Sequence, residues 1–205
     1  MKTKVAENIP GYTYGQAGVA KSPITTEDLK LLKQSVGMTE EDERYLRVAG
    51  EALADQTAEL VGRWRAIIAA HPHLARYSKR LDGQTDPHYS QNSGLRFQQW
   101  ILDTCLRPYD QEWLNYQQEI ALRHTSVKKN KTDGVESVDH IPLRYVVTFA
   151  AVINDADILK PLLAAKGHSR SEVDRMHQAW CKSVQLQMAL WAEPYTDTKF
   201  APDEW

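Results

Sequence analysis

Residues 113–124 read WLNYQQEIALRH, and TSVKKN follows at 125–130. With a period of 3.6 residues, the apolar side chains of this stretch share one face of a helix, which we place at about 110–127. That face carries Trp113, Tyr116, Ile120 and Val127. His124 falls on the same face, where a polar ring is an unusual choice. An imidazole buried among apolar groups needs a partner for each ring nitrogen.

The pattern leaves the identity of that partner open. His124 is either a hydrogen-bonded core histidine or an axial ligand of a buried haem iron, for which neutral imidazole is well suited. His177 is a rival candidate, because it lies within an apolar stripe of the last predicted helix. The spacing of apolar residues does not separate the two. His71 and His73 form a His-x-His pair, but they adjoin Pro72 at a helix break, where a capping or turn role is the other interpretation.

Length and composition indicate a soluble protein with one domain, 1–205, since domains commonly have about 100–200 residues. The formal charge of -2 gives no electrostatic reason to expect nucleic acid or an anionic membrane as a partner. The N-terminus lacks the apolar core of a signal peptide, and no apolar run approaches the roughly 20 residues of a membrane helix. Cys105 and Cys181 are interpreted as free thiols, with a disulfide left open. We therefore expect a cytoplasmic protein.

The local signals predict an all-α fold that follows an irregular N-terminal arm at 1–23. Helix starts are indicated by Thr25 or Thr26, by Thr39 with its following acids, by Asp86 before a proline, and by the capping box that begins at Ser169. We place helices at about 25–35, 39–70 with an interruption near 56, 86–104, 110–127, 141–165 and 169–192. No strand-like alternation with hairpin turns is present.

Ten short segments, taken in order, carry a resemblance to a known family. They are Ile-Pro-Gly-Tyr-Thr-Tyr-Gly at 9–15, Leu-Lys-Leu-Leu-Lys at 29–33, Thr-Glu-Glu-Asp-Glu at 39–43, His-Pro-His-Leu at 71–74, Arg-Phe-x-x-Trp-Ile-Leu-Asp-Thr-Cys at 96–105, Trp-Leu-x-Tyr-Gln at 113–117, Leu-Arg-His at 122–124, Lys-Lys-Asn-x-Thr-Asp at 128–133, Ile-Pro-Leu-Arg-Tyr at 141–145 and Gln-Ala-Trp at 178–180. At these spacings the chain resembles the protoglobins, single-domain relatives of the globin-coupled sensors. The resemblance runs from about residue 9 to about residue 195.

The resemblance implies a globin fold with an extra N-terminal helix and a pocket for haem b. Leu122-Arg123-His124 matches the proximal-histidine motif of the family, so His124 is the implied iron ligand, and position 177 matches no family ligand. Arg96 matches a position expected to meet a haem propionate. The implied cofactor contacts are His124, Trp64, Arg65, Arg96, Phe97, Tyr116, Val146, Phe149 and Ile153. Without the family, these aromatic and aliphatic residues are equally explained as core packing.

The chain departs from the family pattern at Trp64-Arg65, where relatives usually show Trp-Tyr. The missing tyrosine hydroxyl would donate to bound dioxygen. Three orientations of Arg65 remain open: toward solvent, toward a propionate, or inward as a donor to an anionic ligand. A second departure is Ala150-Ala151-Val152, where relatives carry bulkier residues and a proline; this change either widens a channel or is compensated by repacking.

These expectations favour a haem-binding globin that reversibly binds O₂, CO and NO at a five-coordinate iron. One alternative is a haem enzyme of peroxidase-like, nitric oxide dioxygenase-like, or carbene or nitrene transferase type. Another is a gas-sensing or cofactor-free interaction module. The chain ends about a dozen residues after the last predicted helix, which leaves no room for an output domain, so such a module would signal through a partner.

The two C-terminal predicted helices are expected to form a homodimer. They hold more apolar side chains than one stripe per helix buries: Val146, Val147, Phe149, Val152, Ile153, Leu159, Leu162, Leu163, Met176, Trp180, Val184, Leu186, Met188, Leu190 and Trp191. The resemblance implies the same pairing, because protoglobins and related sensor domains commonly associate through these helices. The alternative is that the long N-terminal segment covers this surface.

Overall fold

A computed structural model describes residues 9–196 of the chain. Nine α-helices lie in this range: α1 (Thr26–Ser35), α2 (Glu40–Leu53), α3 (Thr57–Ala70), α4 (Pro72–Ala75), α5 (Pro87–Leu106), α6 (Gln111–Leu122), α7 (Leu143–Ile153), α8 (Ala156–Ala164) and α9 (Arg170–Ala192). The same range contains no β-strand, only one isolated bridge between Arg80 and Ser137. The all-α prediction is confirmed. No helix within 9–196 is both long enough and apolar enough to cross a bilayer.

The predicted helix starts are confirmed by their caps. Three of these helices begin with a capping box, at Thr25, Thr39 and Ser169. In each one, the hydroxyl of the capping residue accepts from the backbone N–H of the third helical residue. The carboxylate of that third residue accepts from the backbone N–H of the capping residue. Asp86 and Asp110 cap α5 and α6 in the simpler way, accepting from one backbone N–H. Each such cap satisfies backbone donors that the helix itself leaves unpaired.

The core is organised around α9, which packs against α2, α6, α7 and α8. α2 also crosses α5 closely, and Gly50 makes that approach possible. A Cβ at position 50 would lie 2.6 Å from the Cβ of Cys105 and 2.6 Å from a methyl group of Leu106. A group of mutually packed tryptophans fills the space between α3, α5 and α9, with Trp64, Trp100 and Trp180 at its centre.

The predicted helix at 110–127 is too long. α6 ends at Leu122, and residues 123–134 form a series of turns. The backbone N–H groups of His124 and Thr125 each bond three residues back, to Ala121 and Leu122, as in a tightened last turn. The Thr125 hydroxyl also donates to the Leu122 carbonyl at 2.9 Å. His124 therefore lies just beyond the helix rather than on it.

The predicted continuous helix at 141–165 is also wrong, because the structure has α7 and α8 with a break between them. Asp155 caps α8 by accepting from the backbone of Asp157 at 2.8 Å. The carbonyl of Asn154, left free at the end of α7, accepts from Nε2 of His177 at 2.8 Å. The polar pair Asn154-Asp155, inside an otherwise apolar stretch, thus ends α7 and starts α8.

The described part of the N-terminal arm, 9–23, is irregular and pinned to the helices, as predicted; residues 1–8 of the predicted arm lie outside the described residues. Tyr12 and Tyr14 pack edge-on against the ring of Tyr116 on α6, with centroids 5.3 Å away in each case. The Tyr12 hydroxyl donates to the carboxylate of Asp103 at 2.7 Å. The arm is therefore held by both aromatic packing and a buried polar contact.

Most of the apolar side chains that the sequence predicted to be in excess on the C-terminal helices are buried within one chain. Of the fifteen side chains on which that argument rested, twelve are buried, Phe149 and Val152 are half-buried, and only Val147 is exposed, at 46%. The surplus is therefore no longer evidence for a dimer, because neighbouring helices of the same chain cover it.

Candidate functional site

A cavity of about 330 Å³ lies between α3, α5, α6, α7 and α9, which is within the range of small-molecule sites. It is closed on one side by the turns at 123–134. Eight of the nine predicted cofactor contacts line it: Arg65, Arg96, Phe97, Tyr116, His124, Val146, Phe149 and Ile153. The family resemblance thus names eight of the 24 residues that line the cavity.

His124 presents one ring nitrogen to the backbone and keeps the other available. Its Nδ1 lies 2.8 Å from the carbonyl oxygen of Ile120. Because a carbonyl only accepts, Nδ1 carries the proton, and Nε2 of the neutral ring holds a lone pair. No group within 9–196 makes a hydrogen bond to Nε2. Burial lowers the pKa of His124 and so favours the neutral form.

The ring of His124 is held in place by a tryptophan. Trp191 on α9 stacks against it with centroids 5.6 Å apart, and the Trp191 indole N–H donates to Gln117 on α6 at 2.8 Å. Trp191 also lines the cavity, as do Ile68 and Met188. Sequence reasoning did not assign these three to the site, since nothing in their spacing distinguishes a cavity wall from ordinary core.

Trp64 is not a cavity residue, contrary to the sequence-based expectation. Its side chain is fully buried behind Phe97, whose ring centroid lies 5.3 Å away, and it stacks on Trp180. Arg65, one residue later on α3, lines the cavity instead. The indole Nε1 of Trp64 has no hydrogen-bond partner within the described residues.

Arg96 is already paired with a carboxylate. Its two terminal nitrogens donate to the two oxygens of Asp133 at 3.0 and 2.5 Å, and one of them also donates to the carbonyl of Pro10 at 2.7 Å. The Asp133 side chain is only 4% exposed. The pair closes one edge of the cavity and ties the N-terminal arm to it.

The guanidinium of Arg65 is bonded to the first turn of α5. Its Nη1 donates to the carbonyl of Ser90 at 2.8 Å, and Nη2 donates to the Ser90 hydroxyl at 3.0 Å. Gly94, one turn further along α5, leaves the room for this arrangement, because a Cβ there would lie 2.6 Å from Nη1. Of the three orientations that the sequence left open, the structure shows the side chain on the cavity wall, bonded to neutral groups.

The family model for protoglobins matches residues 25–200 of this chain. The chain belongs to the protoglobin family. Among solved structures, the globin domain of a globin-coupled sensor from Geobacter sulfurreducens superposes with a TM-score of 0.62 at 15% sequence identity, over 82% of this chain and 97% of that one. That likeness shows the shared fold. A search of curated protein sequences finds no match.

Membership of the protoglobin family implies a haem cofactor. The cavity has a donor set that suits haem: an unprotonated, unpaired imidazole nitrogen on His124 and apolar walls around it. The rival histidine does not share these features. His177 does not line the cavity, and its Nε2 is engaged by the Asn154 carbonyl. His71 and His73 are exposed, with ring centroids 5.7 Å apart.

Sequence reasoning did not assign Lys129 to the pocket, because Lys129 lies in a basic and polar segment between two predicted helices. The side chain is buried and lines the cavity. Its ammonium donates to Asn130 at 3.2 Å, to the Ser137 hydroxyl at 3.4 Å and to the Val138 carbonyl. Burial lowers the pKa of Lys129 to about 8. Only the fold of the turns around it reveals that this lysine points inward.

Proposed function

We propose that this protein binds haem b in the cavity, with His124 as its only protein ligand to iron, and that it reversibly binds the diatomic gases O₂, CO and NO. The observation that carries the proposal is the state of the His124 ring. Nδ1–H is committed to a backbone carbonyl, which fixes the tautomer and leaves the Nε2 lone pair unused. This is the usual arrangement of a metal-binding histidine.

The remaining residues have roles that follow from their positions. Phe97, Phe149 and Ile153 supply apolar walls for a planar macrocycle and exclude water from it. Lys129 places positive charge at the polar edge, where it suits a propionate. Arg96 lies at the same edge, but Asp133 neutralises it, so it would have to release Asp133 to pair with the second propionate. Bound iron would supply the gas-binding position, and the apolar side chains of the cavity would surround it.

The test compares two histidine variants. Haem-free protein is titrated with haemin and followed by visible absorption. His124→Ala should abolish or severely weaken haem uptake, because no other lining residue offers an unprotonated ring nitrogen. His177→Ala is the matched control and should keep a normal ferrous spectrum, since it loses contacts to Asn154 and Cys181, neither of which lines the cavity. Loss of haem in the His177 variant but not in the His124 variant would refute the assignment.

We also propose that the protein works in the cytoplasm, in keeping with its two cysteines. Cys105 is buried and Cys181 is half-buried, and both are free thiols. Free thiols persist in a reducing compartment.

A further inference from the structure

Arg65 brings to the cavity wall a positive charge that no carboxylate among residues 9–196 neutralises. Within 9–196, its guanidinium bonds only to the carbonyl and hydroxyl of Ser90. Two of its five N–H donors are used in this way, which leaves three available. The other arginines of the cavity differ, because Arg96 is paired with Asp133 and Arg123 is paired with Glu119.

Contacts with α5 hold the Arg65 guanidinium in one position. The two bonds to Ser90 and the space left by Gly94 hold it against α5. A Cβ at position 94 would lie 2.6 Å from Nη1, so a side chain there would displace the guanidinium. A charge held in a partly enclosed, low-dielectric site interacts more strongly with an ion than it would in water.

A neighbouring hydroxyl adds a second donor. Tyr89 lines the same cavity one residue before Ser90, and its hydroxyl has no hydrogen-bond partner among the described residues. Burial raises the pKa of Tyr89, so the hydroxyl keeps its proton and can donate. Among the described residues, Asp133 is the one carboxylate that lines the cavity, and it is paired with Arg96.

We infer that the cavity selects small inorganic monoanions, of the class of azide, nitrite and hydroperoxide, over neutral ligands, and that Arg65 is the residue responsible. The inference rests on the proposed haem site and adds a ligand class to it. Arg65 binds the anion by charge-assisted hydrogen bonds, which are stronger than neutral ones. The unpaired hydroxyl of Tyr89 provides a further donor to the same ligand.

The test is an equilibrium titration of the ferric, haem-loaded protein with azide and, separately, with neutral imidazole, each followed by visible absorption. Arg65→Gln should weaken azide binding about tenfold and change imidazole binding less than twofold. Arg65→Lys keeps the charge and should retain most of the azide affinity. Equal changes for azide and imidazole would show a steric effect and overturn the inference.

A pair of glycine variants tests the position of the charge without removing it. Gly94→Ala should displace the Arg65 guanidinium and weaken azide binding in the same direction as Arg65→Gln. Gly62→Ala is the matched control on α3, since a Cβ there meets nothing within 4 Å, and azide binding should stay unchanged. Unchanged azide affinity in both Gly94→Ala and Arg65→Gln would overturn the inference.

The outcomes also separate this inference from the proposed function. If Arg65→Gln loses haem faster while azide affinity is unchanged, Arg65 pairs with a propionate and the anion role is wrong, although the haem site stands. If the wild-type protein takes up no haem, both proposals fail together.

Discussion

At the scale of single residues, Asp103 shows how a buried charge ties the N-terminal arm to the helices. Its carboxylate is 2% exposed and accepts from Tyr12 at 2.7 Å and from Gln99 at 2.8 Å. Arg107 adds a weaker contact at 3.2 Å. Burial nevertheless raises the pKa of Asp103, since the donors only partly offset the loss of hydration.

Tyr12→Phe should destabilise the protein by about 2 kcal/mol at neutral pH, because a buried carboxylate loses a charge-assisted donor. The pKa of Asp103 is raised in the folded state, so its ionisation lowers stability as pH rises from the unfolded value of about 3.9 through the folded one. The loss should therefore be smaller at acidic pH, where a larger share of Asp103 is protonated. Urea denaturation of the wild type and the variant, at neutral and at acidic pH, measures this loss in the free energy of unfolding.

Tyr14→Phe is the matched control, since it removes an arm hydroxyl that makes no hydrogen bond within the described residues while keeping the ring on Tyr116. It should change stability by less than about 0.5 kcal/mol. Equal destabilisation in the two variants, or a loss in Tyr12→Phe that does not depend on pH, would contradict the role given to Asp103.

Single residues also show where sequence reasoning succeeds and where it stops. The apolar face at 113–127 was enough to place His124 inside the protein, but periodicity alone did not separate it from His177. The structure separates them by their hydrogen bonds. His124 donates from Nδ1 to the Ile120 carbonyl, whereas His177 donates from Nε2 to the Asn154 carbonyl. Such contacts depend on where helices end, and periodicity does not give this.

At the scale of elements, helix starts were predicted better than helix ends. An N-cap is a local event, in which one side chain bonds to a backbone group two or three residues away, so Thr39 and Ser169 are visible in the sequence. The end of α6 at Leu122 is marked in the sequence only by Thr125, whose hydroxyl donates to the Leu122 carbonyl. It depends on contacts remote in sequence, including the bond from Arg123 to the carbonyl of Gly11 at 2.7 Å.

Ser169→Ala tests the contribution of one cap to α9, the helix around which the core packs. The Ser169 hydroxyl accepts from the backbone of Glu172 at 3.3 Å, and the Glu172 carboxylate accepts from the Ser169 backbone at 2.8 Å. Losing the hydroxyl should lower the free energy of unfolding by about 1 kcal/mol. Thermal or urea denaturation would show this as a lower midpoint.

Ser171→Ala provides the control for the cap, because Ser171 is exposed in the first turn of α9 and caps nothing. Alanine there should leave stability unchanged or raise it by a few tenths of a kcal/mol, given its better helix propensity. If both variants lower the midpoint equally, the capping box does not stabilise α9.

At the scale of the whole molecule, the cavity exists because distant segments of the chain meet around it. The arm contributes the carbonyl of Pro10, the turns at 123–134 contribute Asp133, and α5 contributes Arg96 between them. The family resemblance implied that Arg96 would meet a haem propionate, and the structure pairs it with Asp133 of the chain itself. The residue that supplies a carboxylate within the chain, Asp133, could not be found from spacing, since 37 residues separate it from Arg96.

The last prediction concerns assembly, for which the apolar surplus no longer argues. Support remains in the family resemblance and in the small or apolar side chains that α7 and α9 present to solvent, namely Val147 and Ala151 on α7 and Ala189 on α9. We expect light scattering at micromolar concentration to give twice the 23.4 kDa mass of one chain.

Val147→Asp should return that mass to 23.4 kDa, because a carboxylate buried in an apolar interface is unpaired. Leu81→Asp changes another exposed apolar residue, 72% accessible and remote from both helices in sequence, and should leave the dimer intact. A wild-type mass of 23.4 kDa at every concentration would refute the dimer, and a Val147→Asp dimer as stable as wild type would place the interface elsewhere.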